Sequence, residues 1–187
     1  MKFNKPIIIV LGEPNSVFSE ILAKELNKKT TKKIIKNPLI LIGSKKLIYS
    51  QLKLLKRNII FEVIQNNKRS LISLKNKIYL IDVEYNFKKP FENITFKSKN
   101  YISQCFKEAI KILDFGLSNV LINGPISKRY FLEKKYPGIT EYVFHNSKNR
   151  ISDAPVMLIY NKKFSVSPVT THIPLKMVSK KIIKRKI

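Results

Sequence analysis

The chain has 187 residues, a formal net charge of +25, and a hydrophobic content of 44%. This length allows one sizeable core, and the hydrophobic content excludes a disordered chain in spite of the charge. No apolar run approaches the ~20 residues that a membrane-spanning helix needs, and no signal-peptide cleavage pattern follows the short run at 6–11. We therefore expect a folded protein that does not span a membrane.

Two interpretations of the basic excess are open. Such a charge is typical of proteins that bind the phosphates of nucleic acids. However, the lysines are spread from end to end, and the chain is also rich in Ile and Asn and lacks Trp. We interpret the charge mainly as a compositional background from biased codon usage, and a basic nucleic-acid-binding module is the alternative.

Cys105 is the only cysteine, so the chain cannot form an internal disulfide. A reducing compartment is therefore the expected location, and we predict a cytoplasmic protein.

The first half of the chain alternates between apolar runs and helical patterns. The run at 6–11, followed by a Gly-Glu-Pro-Asn turn, predicts a strand buried on both faces of a parallel sheet. A helix should follow, capped by Asn15 or Ser16. Residues 38–44 repeat the strand and turn, and residues 47–55 have the spacing of a second helix. This alternation predicts an α/β domain.

The middle of the chain is less regular. Residues 58–64 and 78–83 have the composition of strands, and the polar segment 84–99 is expected to run over the surface. Apolar residues at helical spacing predict a long helix over 101–117, ended by a glycine near its last turn. A further strand is predicted at 119–122.

A histidine follows the last predicted strand. The run 164–169 leads into Thr170-Thr171-His172, and Pro174 then stops the strand. This order predicts that the imidazole of His172 lies at the end of a strand, where open α/β sheets bind their ligands. The lysine-rich end, 176–187, begins like a helix. We interpret it as a helix without its packing partner, and a basic tail for phosphate or nucleic acid is the alternative.

Several segments are similar, in order and spacing, to those of one enzyme family. They are Gly12-Glu13-Pro14 with Glu20, Asn123-Gly124-Pro125-Ile126-Ser127-Lys128, Gly138-Ile139-Thr140-Glu141, Pro155-Val156-Met157-Leu158, and Val169-Thr170-Thr171-His172-Ile173-Pro174-Leu175. Together they resemble the 4-hydroxythreonine-4-phosphate dehydrogenases of pyridoxal phosphate biosynthesis, over essentially the whole chain.

The resemblance implies a fold and an assembly. The fold would be a mostly parallel sheet flanked by helices, like that of isocitrate and isopropylmalate dehydrogenases. Residues 1–187 would form a single amino-terminal α/β portion of a longer dehydrogenase, with a possible sub-boundary near 123–128. The family is homodimeric and builds each active site at the subunit interface, so a homodimer or a complementing polypeptide is the expected partner.

The resemblance also implies a reaction. The family oxidises the C3 hydroxyl of a phosphorylated amino acid by hydride transfer to NAD, and the resulting β-keto acid loses carbon dioxide. A divalent metal (zinc, magnesium or cobalt) assists both steps by stabilising negative charge on oxygen. By position in the motifs, His172 corresponds to one of three metal-binding histidines, and Thr140 corresponds to a threonine that contacts substrate.

The chain departs from the family pattern at one motif position and in its length. Ile139 replaces a histidine that contacts substrate, which suggests as an alternative a dehydrogenase of another phosphorylated hydroxy acid. The other two metal histidines and much of the NAD site would lie beyond residue 187, and no Gly-x-Gly-x-x-Gly fingerprint is present. The chain is therefore expected to be inactive alone. His145, the second histidine, is expected to be a solvated residue at a helix end or in a loop.

Overall fold

A parallel five-stranded sheet forms the centre of the protein in the computed structural model, which describes residues 4–29, 31, 36–149, 154–171 and 173–182. The order of the strands is β3-β4-β2-β1-β5, and all four pairings are parallel. The strands are β1 Ile7–Val10, β2 Leu39–Gly43, β3 Glu62–Val63, β4 Ile78–Asp82 and β5 Val120–Asn123. This sheet confirms the predicted α/β class with a mostly parallel sheet.

Helices connect the strands and cover both faces of the sheet. The α-helices are α1 Phe18–Asn27, α2 Lys45–Leu54, α3 Lys68–Ile72, α4 Lys99–Asp114, α5 Ile139–Asn146 and α6 Val178–Lys181. Short 3₁₀ segments at Phe96–Ser98 and Leu175–Met177 precede α4 and α6, and a π-helix spans Lys128–Leu132. Within the described ranges, no helix has the length and apolar character needed to cross a membrane.

Alternate residues of the strands build the core on opposite faces of the sheet, because successive side chains of a strand point to opposite sides. Ile8 and Val10 of β1 pack in one cluster with α4, whereas Ile9 packs with α1 and α2. Phe106 of α4 is fully buried in the first cluster. Burial of each such side chain contributes about 1.5–3 kcal/mol relative to exposure, so the two clusters fix the sheet between two helical layers.

The predicted caps are confirmed at one helix end and wrong at another. Gly116 has a φ of +67° and ends α4, and its N–H donates to the carbonyl of Leu113. At the start of α1, however, the cap position is Val17, whose side chain cannot accept a hydrogen bond. The hydroxyl of Ser16 accepts from the N–H of Phe18 instead, at 3.3 Å. The cap predicted at Asn15 or Ser16 was therefore misplaced by one or two residues.

The strand predicted at 58–64 is much shorter than expected. Only Glu62–Val63 pairs, at the edge of the sheet beside β4. Ile59 and Phe61 are nevertheless buried, because they pack against the cluster formed by α1 and α2. Two of its apolar residues, Ile59 and Phe61, thus serve packing under the helices and not a longer strand, whereas Ile60 is exposed.

Two further strands form a separate hairpin. Strands β6 Ile159–Tyr160 and β7 Ser165–Val166 pair antiparallel with each other and not with the central sheet. The prediction that the run 164–169 forms a strand of the open parallel sheet was therefore wrong. The sub-boundary near 123–128 stays a prediction.

The backbone segments that follow β1 and β5 approach each other closely. We call residues 11–17 the first loop and residues 124–127 the second loop. The N–H of Gly124 donates to the carbonyl of Val10, and the N–H of Glu13 donates to the carbonyl of Pro125, both at 2.8 Å. A Cβ on Gly12, whose φ is +75°, would lie 2.6 Å from the Pro125 oxygen, and a Cβ on Gly124 would collide with the Leu11 oxygen. The contact therefore requires glycine on both sides.

Alanine at either glycine should therefore force the two loops apart. Gly12→Ala should lower the free energy of unfolding, measured in urea, for two reasons. The left-handed backbone conformation of alanine costs about 1 kcal/mol, and the collision of the added carbon with the second loop costs about 1–3 kcal/mol. Gly116→Ala is the matched control, since its φ is +67° but nothing lies within 4 Å of the added carbon. Equal losses for the two variants would contradict the close contact.

Candidate functional site

The arrangement of the strands marks one edge of the sheet as the candidate ligand site. From β1 the chain moves to β2 on one side, and it later crosses to β5 on the other side of β1. The strands that follow β1 in the chain are therefore added first on one side of β1 and then, with β5, on the other side. The change of side occurs between β1 and β5. Open parallel sheets bind ligands outside the carboxyl ends of their strands at such a switch point. The first and second loops both lie at this edge.

Glu13 places a buried carboxyl group in the first loop. Only 3% of the residue is exposed. The hydroxyl of Ser98, in the 3₁₀ segment before α4, donates to Glu13 Oε2 at 3.0 Å. Together with the hydrogen bond from the Glu13 N–H to Pro125, this contact joins the first loop, the second loop and the start of α4. One residue thus connects three segments at the switch point.

Burial raises the pKa of the Glu13 carboxyl above its ordinary value of 4.5, because a low-dielectric environment disfavours the charged form. The hydrogen bonds from the Ser98 hydroxyl and the Asn15 backbone lower that pKa and oppose the effect. The nearby tyrosine Tyr85 also has a raised pKa, first because of burial and then because of the negative charges of Glu13 and Glu92. The switch point is therefore a place where ionisation is unfavourable.

Polar side chains hold the first loop on its other sides. Gln51 of α2 donates from Nε2 to the carbonyl of Pro14 at 2.6 Å and to that of Pro90 at 3.1 Å. Asn15 accepts from the N–H of Glu92 at 3.0 Å through Oδ1. The segment 84–99, predicted to run over the surface, thus also contacts the first loop, directly at Glu92 and through Gln51 at Pro90. These contacts fix the loop backbone and leave little freedom for its position.

The second loop leads into an aromatic cluster that positions α5. Ser127 accepts from the N–H of Tyr130 at 3.4 Å and begins the π-helix. Phe131 of the π-helix lies 5.8 Å from Phe106 of α4 and 5.0 Å from Tyr142 of α5, measured between ring centroids. Such ring pairs contribute about 0.5–1.5 kcal/mol beyond their burial. The cluster therefore docks α5 against α4.

Thr140 and Ile139 point to different environments at the start of α5. Thr140 is exposed, whereas Ile139 is partly buried and packs against the core cluster around α4. Adjacent residues of a helix are rotated by about 100° from each other, so one can face the core while the next faces solvent. Ile139 therefore serves packing in this chain.

His172, the predicted metal ligand, lies outside the described residues, so its position relative to Thr140 is not described. The hairpin that precedes it is described, and most of its side chains are exposed. His145 lies in the last turn of α5 at an exposed position, as expected for a helix end. Its ring is 5.7 Å from that of Tyr136.

A complete metal site is not formed by the part of the chain that the structure describes: no three His, Cys, Asp or Glu side chains there are grouped to hold an ion. The residue that sequence reasoning missed is Glu13. Its position was marked, since it stands in the Gly12-Glu13-Pro14 motif segment, but its burial and its contact with Ser98 have no local signal in the sequence.

Glu13→Gln should change the pH dependence of stability. The pKa of the Glu13 carboxyl is higher in the folded protein than in the unfolded chain. The stability that this group contributes is therefore fully present below the unfolded pKa, and it is lost as the pH rises through the folded pKa. We expect urea unfolding to show Glu13→Gln gaining stability relative to the wild type as the pH rises above the ordinary carboxyl pKa of 4.5.

The control for this experiment is Glu20→Gln. Lys24 forms an ion pair with Glu20 at 2.6 Å and lowers its pKa, so the pH dependence has the opposite sign, and it should be small at this exposed site. If the difference in the free energy of unfolding between Glu13→Gln and the wild type stays constant with pH, the burial of an ionisable carboxyl at this position is contradicted.

Comparison with protein families and known proteins gives a consistent result. A family model described as "Pyridoxal phosphate biosynthetic protein PdxA" matches residues 35–187. The 4-hydroxythreonine-4-phosphate dehydrogenase of Sulfurihydrogenibium sp. is 31% identical over 186 residues, which cover 97% of this chain and 54% of the relative. The enzyme of the same name from Bacteroides thetaiotaomicron is 25% identical over 187 residues, with 96% and 48% covered.

Solved structures share the fold. The 4-hydroxythreonine-4-phosphate dehydrogenase of Burkholderia phymatum superimposes with a TM-score of 0.76 at 21% identity, over 97% of this chain and 54% of that one. A putative 4-hydroxythreonine-4-phosphate dehydrogenase of Salmonella typhimurium gives 0.71 at 21% identity, over 97% and 55%. The chain thus spans about half the length of the relatives it matches.

These comparisons confirm the family resemblance that the motifs predict. The family match includes the second loop and the Thr170-Thr171-His172 segment, and the relatives extend the similarity over the first loop. This chain belongs to the PdxA family of pyridoxal phosphate biosynthetic proteins.

Proposed function

We propose that this chain is part of an enzyme that oxidises and decarboxylates 4-phosphooxy-threonine in pyridoxal phosphate biosynthesis, with NAD and a divalent metal. The observation that carries the proposal is the family match over residues 35–187, together with relatives named 4-hydroxythreonine-4-phosphate dehydrogenase. The geometry adds support, because the first and second loops, which carry two of the family motifs, meet at the switch point of the sheet.

Two residues have proposed roles in this enzyme. Thr140 would contact the substrate, and its exposed position at the start of α5 leaves the side chain accessible to a ligand. His172 would bind the divalent metal, which is zinc, magnesium or cobalt in the proposal. This role rests on the Thr-Thr-His motif alone.

The described residues do not fit a complete metal site. A catalytic metal centre takes about three protein ligands, and no such group is formed within the described ranges. We therefore assign no catalytic step to this chain. The remaining ligands and most of the NAD site are proposed to come from protein outside these 187 residues, in a homodimer or from a complementing polypeptide. A cytoplasmic location is part of the proposal, since Cys105 is a free, buried thiol.

The second candidate function is oxidation of another phosphorylated hydroxy acid. The observation that favours it is the packing of Ile139 against the core, because an aliphatic side chain cannot make the hydrogen bond of a histidine. A panel of phosphorylated hydroxy acids separates the two candidates when it is tested on the complete enzyme and not on the 187 residues alone. The true substrate should give the highest kcat/KM.

The 187-residue chain alone should not reduce NAD with 4-phosphooxy-threonine, whereas a chimera should. In the chimera, residues 1–187 replace the corresponding half of the Sulfurihydrogenibium relative, which is 31% identical. We expect metal-dependent formation of NADH by the chimera, measured by absorbance. Turnover by the 187 residues alone would contradict the proposed need for further protein.

The two histidines provide matched variants of this chimera. His172→Ala should lower kcat/KM by more than about 100-fold. Mutation of a residue that only hydrogen-bonds a metal ligand already lowers activity or metal affinity by about 10- to 100-fold, so loss of the ligand itself should cost more. His145→Ala, at an exposed helix end, should retain activity. Equal activity of the two variants would exclude His172 as a metal ligand.

Ile139→His should destabilise the protein, because the imidazole would replace aliphatic contacts with the cluster around α4. We expect a loss of about 1–2 kcal/mol in the free energy of unfolding in urea. Thr140→Ser, at the exposed neighbouring position, is the control and should stay within about 0.5 kcal/mol. An unchanged stability for Ile139→His would show that this side chain does not contribute to packing.

A further inference from the structure

A small buried cavity lies between the first loop, α1 and α2. Its lining includes Glu13, Ser19, Gln51 and Tyr101 of α4. All four residues are at most 6% exposed. The volume of the cavity is ≈ 10 Å³, which is close to the ~10–15 Å³ that one water molecule needs. The cavity thus has the size of a single-water site.

Two oxygen atoms of the cavity lining have unused hydrogen-bonding capacity. Glu13 Oε1 and Ser19 Oγ are both buried, and neither meets a hydrogen-bond partner among the described residues. The other carboxyl oxygen of Glu13 is bonded to Ser98, so the carboxyl is held in place while Oε1 is left over. Buried polar atoms in folded proteins nearly always have a partner, either in the protein or as ordered water. Two such atoms around one cavity require an explanation.

We propose that one ordered water molecule binds in this cavity and bridges Glu13 and Ser19. The water donates a hydrogen bond to Glu13 Oε1 and accepts one from the hydroxyl of Ser19. Each bond supplies what the residue lacks, since a carboxylate oxygen only accepts and a serine hydroxyl can donate. A buried water with two to four polar partners is a regular part of protein structure.

The bridge connects the first loop to the helix that follows it. Ser19 lies in the first turn of α1, whose cap residue Val17 makes no side-chain hydrogen bond. The water therefore adds a second polar link between α1 and the first loop, beside the hydrogen bond from the Phe18 N–H to the Ser16 hydroxyl. Through Glu13, the same link reaches Ser98 and the start of α4. This site does not depend on the proposed reaction.

Crystallography of the 187-residue chain at a resolution that shows waters tests the site directly. We expect one density peak in the cavity, within hydrogen-bond distance of Glu13 Oε1 and Ser19 Oγ, and its loss in Ser19→Ala. Glu13→Gln distinguishes water from a bound cation, because a neutral amide keeps a water but not a cation. An empty cavity, a peak that contacts only one of the two residues, or loss of the peak in Glu13→Gln would overturn the proposal.

A stability comparison tests the bridge in solution. Ser19→Ala and Ser50→Ala both exchange serine for alanine within a helix, Ser19 in the first turn of α1 and Ser50 in the middle of α2. Ser50 is the control, because its hydroxyl donates only to Lys46 of its own helix, at 2.8 Å. If the water is present, Ser19→Ala breaks the bridge and should have the lower urea midpoint. If the cavity is dry, Ser19→Ala removes an unpaired buried hydroxyl, and a midpoint at or above that of Ser50→Ala would overturn the proposal.

Discussion

The close approach of the backbone after β1 to the backbone after β5 is the constraint on which the candidate site depends. Carbonyl oxygens of one loop occupy the space in which the other loop would carry a Cβ, so both positions require glycine. The two hydrogen bonds across this contact continue the pairing of β1 and β5 beyond the sheet. As a result, the backbones of the first and second loops are in direct contact at the switch point. This contact fixes the distance between the two motif segments that the loops carry.

A buried carboxyl group then fixes this contact within the surrounding layers. Burying Glu13 is unfavourable, as its raised pKa indicates, and hydrogen bonds offset part of that cost. In return, one side chain connects the first loop to α4, while Gln51 connects it to α2. Sites that bind substrate and cofactor depend on positions held to about 0.5 Å. The polar contacts around the first loop hold one wall of the candidate site at the switch point.

Much of the fold follows from the apolar runs, and the exceptions have physical causes. The runs at 6–11, 38–44 and 78–83 became β1, β2 and β4, because central parallel strands are apolar on both faces. In the segment 58–64, which has the same composition, Ile59 and Phe61 pack against α1 and α2 while Ile60 and Val63 are exposed, and composition cannot distinguish this arrangement from strand pairing. Of the site, the motifs predicted the family. The role of Glu13 depends on contacts across more than 80 residues, such as that with Ser98, and no local pattern encodes them.

The hairpin of β6 and β7 bears on where the rest of the proposed active site comes from. Each strand has only two residues, and Tyr160 and Phe164 are about 70% exposed, at 73% and 70%. A two-stranded hairpin is at best marginally stable in water, and contiguous exposed apolar side chains are typical of protein interfaces. This segment directly precedes the Thr-Thr-His motif. The exposed apolar side chains and the proposed metal ligand are therefore neighbours in the sequence. The exposed apolar side chains of the hairpin support the proposal that a second subunit or a complementing polypeptide packs against this part of the chain.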